Sequence, residues 1–251
     1  MDKISVQHPA KTATIISRGD LAGVWKRALL ADEKGNEDRE SIVYWVQGAR
    51  LCADIREHRR ASALAGAFRE GGSPTMDAFA GELIDSNGTF RWEPVLRLNH
   101  VEGPPDEGRL NWIDGDLWEE GVHIAYSEQW TRIIEAAAGD FAVALDDERG
   151  RQAYMLKVGT FLFHALSGER GQAEFSLFEL KPGGVNLVLS TVGPGPVACP
   201  NIEFADLGGT SVWLSAVGEN EQRVRWQVTQ LDDCGRGTPA IGKVSGGVAM
   251  R

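Results

Sequence analysis

Gly23-Val24-Trp25, at the head of the β-rich run Gly23 to Leu30, decides the reading of this chain. A Gly-x-Trp in the first of many short alternating strands is the pattern of a closed antiparallel barrel with an internal cavity. That architecture holds a small, usually apolar molecule in its mouth or lumen. Outward from the motif the chain reads as hairpin after hairpin. Thr12 to Ser17 precedes it across the turn-like Arg18-Gly19-Asp20. The polar loop Asp32 to Glu40 leads to Ser41 to Gln47, and Gly48-Ala49 breaks the chain before Arg50 to Arg56. In Val43-Tyr44-Trp45-Val46 and Leu51-Cys52-Ala53-Asp54-Ile55 one face is apolar and the other mixed, as a barrel wall requires.

The Ala-rich segment Arg59 to Glu70 departs from this rhythm. Its Leu64, Ala67 and Phe68 share a helical face, and Gly71-Gly72-Ser73-Pro74 stops it. It is read as one short helix, either a lid over one barrel end or a packing element. Strands resume at Ala78 to Ile84. Asp85-Ser86-Asn87-Gly88 then closes a tight hairpin with Thr89 to Glu93, because Asn-Gly accepts positive φ. Pro104-Pro105 marks a loop, and Arg109 to Ile134 is a meander that includes strands at Asp116 to Glu119, Gly121 to Tyr126 and Glu128 to Ile134. Alternating runs continue from Phe141 to Leu231, too many for one eight-stranded barrel. The expectation is an all-β chain with a barrel over residues 10–135 and a β-rich second half, or a second barrel, over 136–251.

The 251 residues are 42% hydrophobic and can bury a sizeable core; of eight Trp, six lie between Trp25 and Trp130. They either fill the barrel or line a pocket. A net charge of −10 argues against nucleic acid and anionic membrane surfaces as partners. The basic cluster of Arg56, His58, Arg59 and Arg60 is too short to alter this. Cys52, Cys199 and Cys234 are dispersed and odd in number, which speaks against a disulfide framework or a zinc site. Met1 to Lys11 is polar and no stretch has the apolar length of a membrane span, so the expectation is a soluble, cytoplasmic protein.

Gly23-Val24-Trp25 resembles the first-strand Gly-x-Trp of the calycin superfamily, the lipocalins, fatty-acid-binding proteins and their relatives. In that family the Trp closes one barrel end and an Arg from a late strand packs on its face. The resemblance nominates Trp130-Thr131-Arg132 for that Arg. A wider set of fragments is similar to an uncharacterised calycin-like family, some of whose members have two barrels. They are Gly23 to Arg27, Trp45-Val46-Gln47, Ala53-Asp54-Ile55-Arg56, Gly108-Arg109-Leu110-Asn111-Trp112, and Glu119-Glu120-Gly121 through Ala125 to Trp130. The resemblance covers about residues 20–135. It implies a calycin-like barrel of an intracellular branch.

Two stretches offer chemistry. Asp114 to Glu128 is rich in carboxylates, which reads either as a solvated strand exterior or as an acid–base site drawn from Glu120, His123, Tyr126 and Glu128. A regular strand would put Glu120 and Tyr126 on one face and His123 on the other. Asp54-Ile55-Arg56 puts an acid and a base on one strand face, as a wall ion pair or as a forked anchor for a carboxylate or carbonyl. His164 follows an apolar run and reads as core, with an axial haem ligand as the sharper alternative. No HExxH, P-loop, GxGxxG or GxSxG occurs.

The leading expectation is therefore non-catalytic binding of a small, largely apolar ligand in the lumen, with no cofactor and no metal. Tyr44, Trp45, Trp92 and Trp112 are candidate walls and Arg56 the polar anchor. Tyr44 and Trp45 are adjacent, so only one can face inward. The alternatives are a lyase, isomerase or hydrolase in the same cavity, and a filled barrel serving as an interaction module. Cavity content separates the three. Thiol titration of protein denatured without reductant should count three free cysteines; a count of one would mean a disulfide.

Overall fold

A computed structural model describes residues 15–58, 76–100, 102–168, 172–192, 197–204, 211–216 and 223–234, with backbone alone for 201–204, 211–216, 223, 224 and 233. The expected helix at 59–70 lies outside the described residues. A one-turn helix, α1 (Arg18–Leu21), stands instead where the sequence reads as a turn. The Asp20 carboxylate accepts hydrogen bonds from Ser17 N at 2.8 Å and Ser17 Oγ at 2.7 Å, which draws the chain into that turn.

The N-terminal strands are β1 (Gly23–Asp32), β2 (Glu37–Asp38), β3 (Ile42–Gln47), β4 (Leu51–Glu57), β5 (Met76–Ser86), β6 (Thr89–Arg97), β7 (Asp106–Ile113), β8 (Asp116–Gly121) and β9 (Tyr126–Glu135). They pair in the order β1-β3-β4-β5-β6-β7-β8-β9, all antiparallel, and β9 returns to β1 to close eight strands. β2 is a two-residue addition to the far end of β1. Asn87 and Gly88 adopt φ of 57° and 83°, the tight turn that Asn-Gly promises. The glycine of Gly-x-Trp is required by closure itself: a Cβ on Gly23 would sit 2.5 Å from the carbonyl oxygen of Ile134 on β9.

The second half contributes β10 (Phe141–Asp146), β11 (Gln152–Val158), β12 (Phe161–Ser167), β13 (Ala173–Lys181), β14 (Gly184–Ser190), β15 (Pro200–Phe204), β16 (Ser211–Ala216) and β17 (Arg223–Asp233). Their order is β14-β13-β12-β11-β10-β17-β16-β15. Among the described residues this eight-stranded sheet does not close into a second barrel, because β14 and β15 do not pair. Period-two alternation divides its faces. Ala142, Ala144, Leu156, Phe163, Phe175 and Leu177 meet the outer barrel face at Val46, Ala53, Ile55, Ala78 and Ala80. Val143, Leu145, Met155, Leu162, Phe178 and Trp226 form a separate cluster.

This packing gives Tyr44 its place. Its ring lies 6.1 Å from Phe161 between barrel and sheet, so Tyr44 faces outward and is not a lumen wall. A carboxylate clasps the two halves: Asp232 Oδ2 accepts from Arg50 N at 2.5 Å and Leu51 N at 2.6 Å, satisfying two amides where β3 turns into β4.

Inside the barrel Trp25, Val43, Trp45, Cys52, Leu83, Phe90, Leu110, Leu117 and Trp130 are buried together. Trp25 and Trp45 sit opposite each other on β1 and β3, their rings stacked at 5.7 Å. Trp25→Ala should lower stability by about 3–5 kcal/mol in a denaturant melt, as loss of a buried indole does; a loss below about 1 kcal/mol would remove its role as the barrel plug.

Candidate functional site in the barrel lumen

The lumen has a filled end and an open end. At the filled end α1 crosses the barrel and its carbonyls act as acceptors. Trp25 Nε1 donates to Leu21 O at 2.8 Å, and the Arg132 guanidinium donates to Asp20 O. Arg132 projects from β9 and lies 4.4 Å from the Trp25 ring and 5.3 Å from that of Trp112, a cation–π sandwich of the kind worth about 0.5–2 kcal/mol when shielded. The Trp45 ring stands edge-on to those of Trp92 and Trp130 at 5.5 and 5.7 Å, so five indoles form one continuous stack. Trp112 belongs to this plug and does not line the cavity.

Above the plug opens a cavity of about 720 Å³, with Trp45, Trp92 and Trp130 among its walls. That volume suits a small ligand. The inward positions of β1, β4, β7, β8 and β9 supply Arg27, Asp54, Arg56, Asp106, Glu119, Tyr126 and Glu128. Arg27 Nη1 donates to Glu128 Oε1 at 2.7 Å, and its Nη2 lies 3.3 Å from Asp38 Oδ2. Arg56 Nε donates to Asp54 Oδ1 at 2.5 Å. Tyr126 O–H lies 2.6 Å from Glu119 Oε1 and 3.4 Å from Asp106 Oδ1, while Trp130 Nε1 donates to Glu119 Oε2 at 3.2 Å. Two inward glycines make room for this arrangement. A Cβ on Gly108 would meet Glu119 Cγ at 2.6 Å, and one on Gly121 would meet Tyr126 Cε1 at 2.4 Å.

Enclosure shapes the ionisation of these groups. Burial raises Asp54 to about 6, with the Arg56 charge opposing. Burial raises Glu119 well above the usual carboxylate range, and the neighbouring Glu128 and Asp106 charges add to it. Burial raises Asp106 as well, against the pull of Arg56. A phenol has one O–H, and at 2.6 Å Glu119 is its nearer acceptor, while the exposed Asp106 stands 3.4 Å from the same oxygen.

Of the residues the sequence nominates, Trp45, Trp92, Arg56, Tyr126 and Glu128 come together in the lumen. Glu120 points outward and is exposed. His123 sits at the rim, its Nε2 2.8 Å from Glu107 Oε2. The expected common face of Glu120 and Tyr126 fails because β8 ends at Gly121 and β9 begins only at Tyr126, so parity is reset in between. Glu119, Asp106 and Arg27 are the lumen residues that sequence reading passed over. Arg27 carried a signal, lying two residues after Trp25 on the same face.

His164 lies on the face of β12 that bears Leu162, amid the second sheet's own core, and burial lowers it to about 4. Among the described residues no cluster of three or more His, Cys, Asp or Glu could hold a metal.

The stability signs follow. Asp54 and Glu119 have folded pKa values above their unfolded values near 3.8 and 4.5, so their contribution is full below those values and is lost as pH rises through the folded ones. His164 is depressed from 6.5, so its contribution is present above 6.5 and lost as pH falls through about 4. Glu119→Gln cannot ionise. Denaturant melts should show this variant gaining on the wild type as the pH is raised from 5 to 8, because only the wild type must ionise a buried carboxyl; a difference that does not change with pH would contradict the raised carboxyl.

No family model and no curated protein matches this chain. Among solved structures it is similar to the crystal structure of uncharacterized protein YLR301w from Saccharomyces cerevisiae, with a TM-score of 0.56 and 14% identity over 83% of this chain and 98% of that one. At that identity the likeness shows the fold alone, an antiparallel barrel with a second sheet.

Proposed function

We propose that this is a calycin-like barrel that binds a small molecule in the open half of its lumen. Three features support the calycin-like reading: the Gly-x-Trp strand, the helical turn across the closed end, and the late-strand Arg132 over Trp25. The observation that carries the binding reading is the cavity of about 720 Å³ above the indole plug. A filled interaction module would enclose a few waters at most. The ligand differs from the largely apolar one that the Trp content suggests. Most of the indole surface is spent on the plug, and the open half is walled by charged and hydrogen-bonding groups with Trp92 and Phe79 as its aromatic surfaces. A polar molecule with an aromatic or aliphatic body suits such walls. The compartment we propose is the cytoplasm, in keeping with three buried cysteines that form no disulfide among the described residues.

A second reading rests on one observation, the Tyr126 phenol set between the Glu119 and Asp106 carboxyls at the cavity wall. Such a group is suited to general acid–base catalysis of the lyase, isomerase or hydrolase kind. Turnover of a polar substrate abolished by Glu119→Gln or Glu128→Gln would favour it over binding alone.

Native mass spectrometry of freshly purified protein should detect a retained small molecule, and its removal should change Trp emission. Trp92→Ala should weaken rebinding by about tenfold, the loss of one aromatic wall. Trp112→Ala should leave affinity unchanged while lowering stability, since that ring lies in the plug. Equal effects of the two substitutions on affinity would contradict the division of the lumen.

A further inference from the structure

We propose that the lumen selects a protonated amine. Its ammonium would sit among Asp54, Asp106, Glu119 and Glu128 with its apolar body on Trp92 and Phe79, and it would enter in exchange for a proton on the buried Glu119 carboxyl. The inference rests on the lumen being a binding site.

Charge decides the class of ligand. Four guanidinium groups and nine carboxyls line the cavity: Arg27 is committed to Glu128 and Asp38, Arg56 to Asp54, Arg91 lies 3.6 Å from Glu93, and Arg97 is exposed at the mouth, so carboxyls are in excess. An anion anchored on Arg56 would enter the field of Asp54, Glu128 and Asp106 together. A cation faces the opposite situation. Glu128 is 6% exposed and Asp54 2% exposed, yet Glu128 Oε2 and Asp54 Oδ2 accept no hydrogen bond from a described residue. Both residues line the cavity. An ammonium carries three N–H donors and no acceptor, the complement of such oxygens. Aromatic faces beside the site add cation–π attraction, and the chain's net charge of −10 favours the approach of cations.

The exchange keeps charge in balance. One ammonium enters, one proton leaves Glu119 for bulk water, and the lumen's net charge is unchanged. Tyr126 then donates to one carboxylate while the ammonium serves the other. The groups facing this pair are Tyr126, Trp130 and Glu128 from β9, Arg27 from β1, and Asp54 and Arg56 from β4. Arg97 of β6 also acts on Asp106, and the His123–Glu107 pair stands at the rim. The guanidinium groups oppose the exchange and the carboxylates favour it; because carboxyls outnumber guanidinium groups on the cavity wall, the carboxylates prevail.

The test is calorimetric titration of the full chain with 2-phenylethylamine, 2-phenylethanol and 3-phenylpropionate, at pH 6 and pH 8, in phosphate and in MOPS. The amine should bind about tenfold or more tighter than the alcohol, the propionate should not bind, and amine affinity should rise with pH by about tenfold for each pH unit over which one proton is released. The heat should differ between the buffers in proportion to that release. Glu119→Gln should bind the amine with the release abolished and Asp106→Asn should bind it with the release retained, each checked for an unchanged near-ultraviolet Trp signal. Equal or tighter binding of the alcohol or the propionate, or amine binding without proton release in the wild type, would overturn the amine assignment and leave lumen binding standing. Failure of all three probes to bind would overturn the lumen reading itself.

Discussion

Eight strands closed on themselves leave an interior only just wide enough for side chains to fill, and every inward position must contribute to filling it or admit solvent. Here five indoles fill one half. Trp25 is the hub: it stacks on Trp45, donates to Leu21 O, and lies under the Arg132 guanidinium. The plug joins β1, β3 and β9 across the seam where the barrel closes, and Gly23 lets β9 approach at that seam. The other half cannot be filled the same way, because its inward positions carry arginines, carboxyls and a tyrosine. Charged groups taken from water are costly unless paired and hydrogen-bonded, so this half remains a cavity.

The division has an electrostatic consequence. Arg27 ties Glu128 to Asp38 and Arg56 ties Asp54, which leaves Glu119 and Asp106 facing one phenol. Gly108 and Gly121 have lost their side chains at the places where Glu119 and Tyr126 need room. A carboxyl pair kept short of full ionisation contributes less to stability at neutral pH than a solvated pair would. Groups perturbed in this way gather where ligands or substrates are handled. The second sheet steadies the wall that carries Asp54 and Arg56, since Ala53 and Ile55 between them pack on its face and Asp232 holds the start of β4.

Much of the barrel was legible in the sequence. Gly23-Val24-Trp25, the Asn87-Gly88 turn and the alternation in β3 and β4 carry period-two information that survives in the fold. The adjacency rule correctly allowed only one of Tyr44 and Trp45 inside, but could not choose between them, because both outer and inner faces of β3 are buried. The second sheet covering the outer face erases the usual polar alternation there. Glu119 was hidden beside Glu120 for a different reason: two adjacent glutamates look alike until the end of β8 is known, and the turn after Gly121 resets the parity. Asp106, distant in sequence, meets Tyr126 only through closure of the meander, which no local pattern encodes. Trp112 and Trp92 look equally eligible as walls, and only the contacts of the Trp112 ring with Trp25 and Arg132 assign it to the plug.

The most direct measurement of this account is a pH titration of the Glu119 side-chain carboxyl carbon by NMR, assigned by comparison with Glu119→Gln. The account predicts that this carbon keeps the shift of a protonated acid well above the ordinary midpoint near 4.5. A midpoint at the ordinary value would contradict the raised Glu119 carboxyl and, with it, the electrostatic design assigned to the lumen.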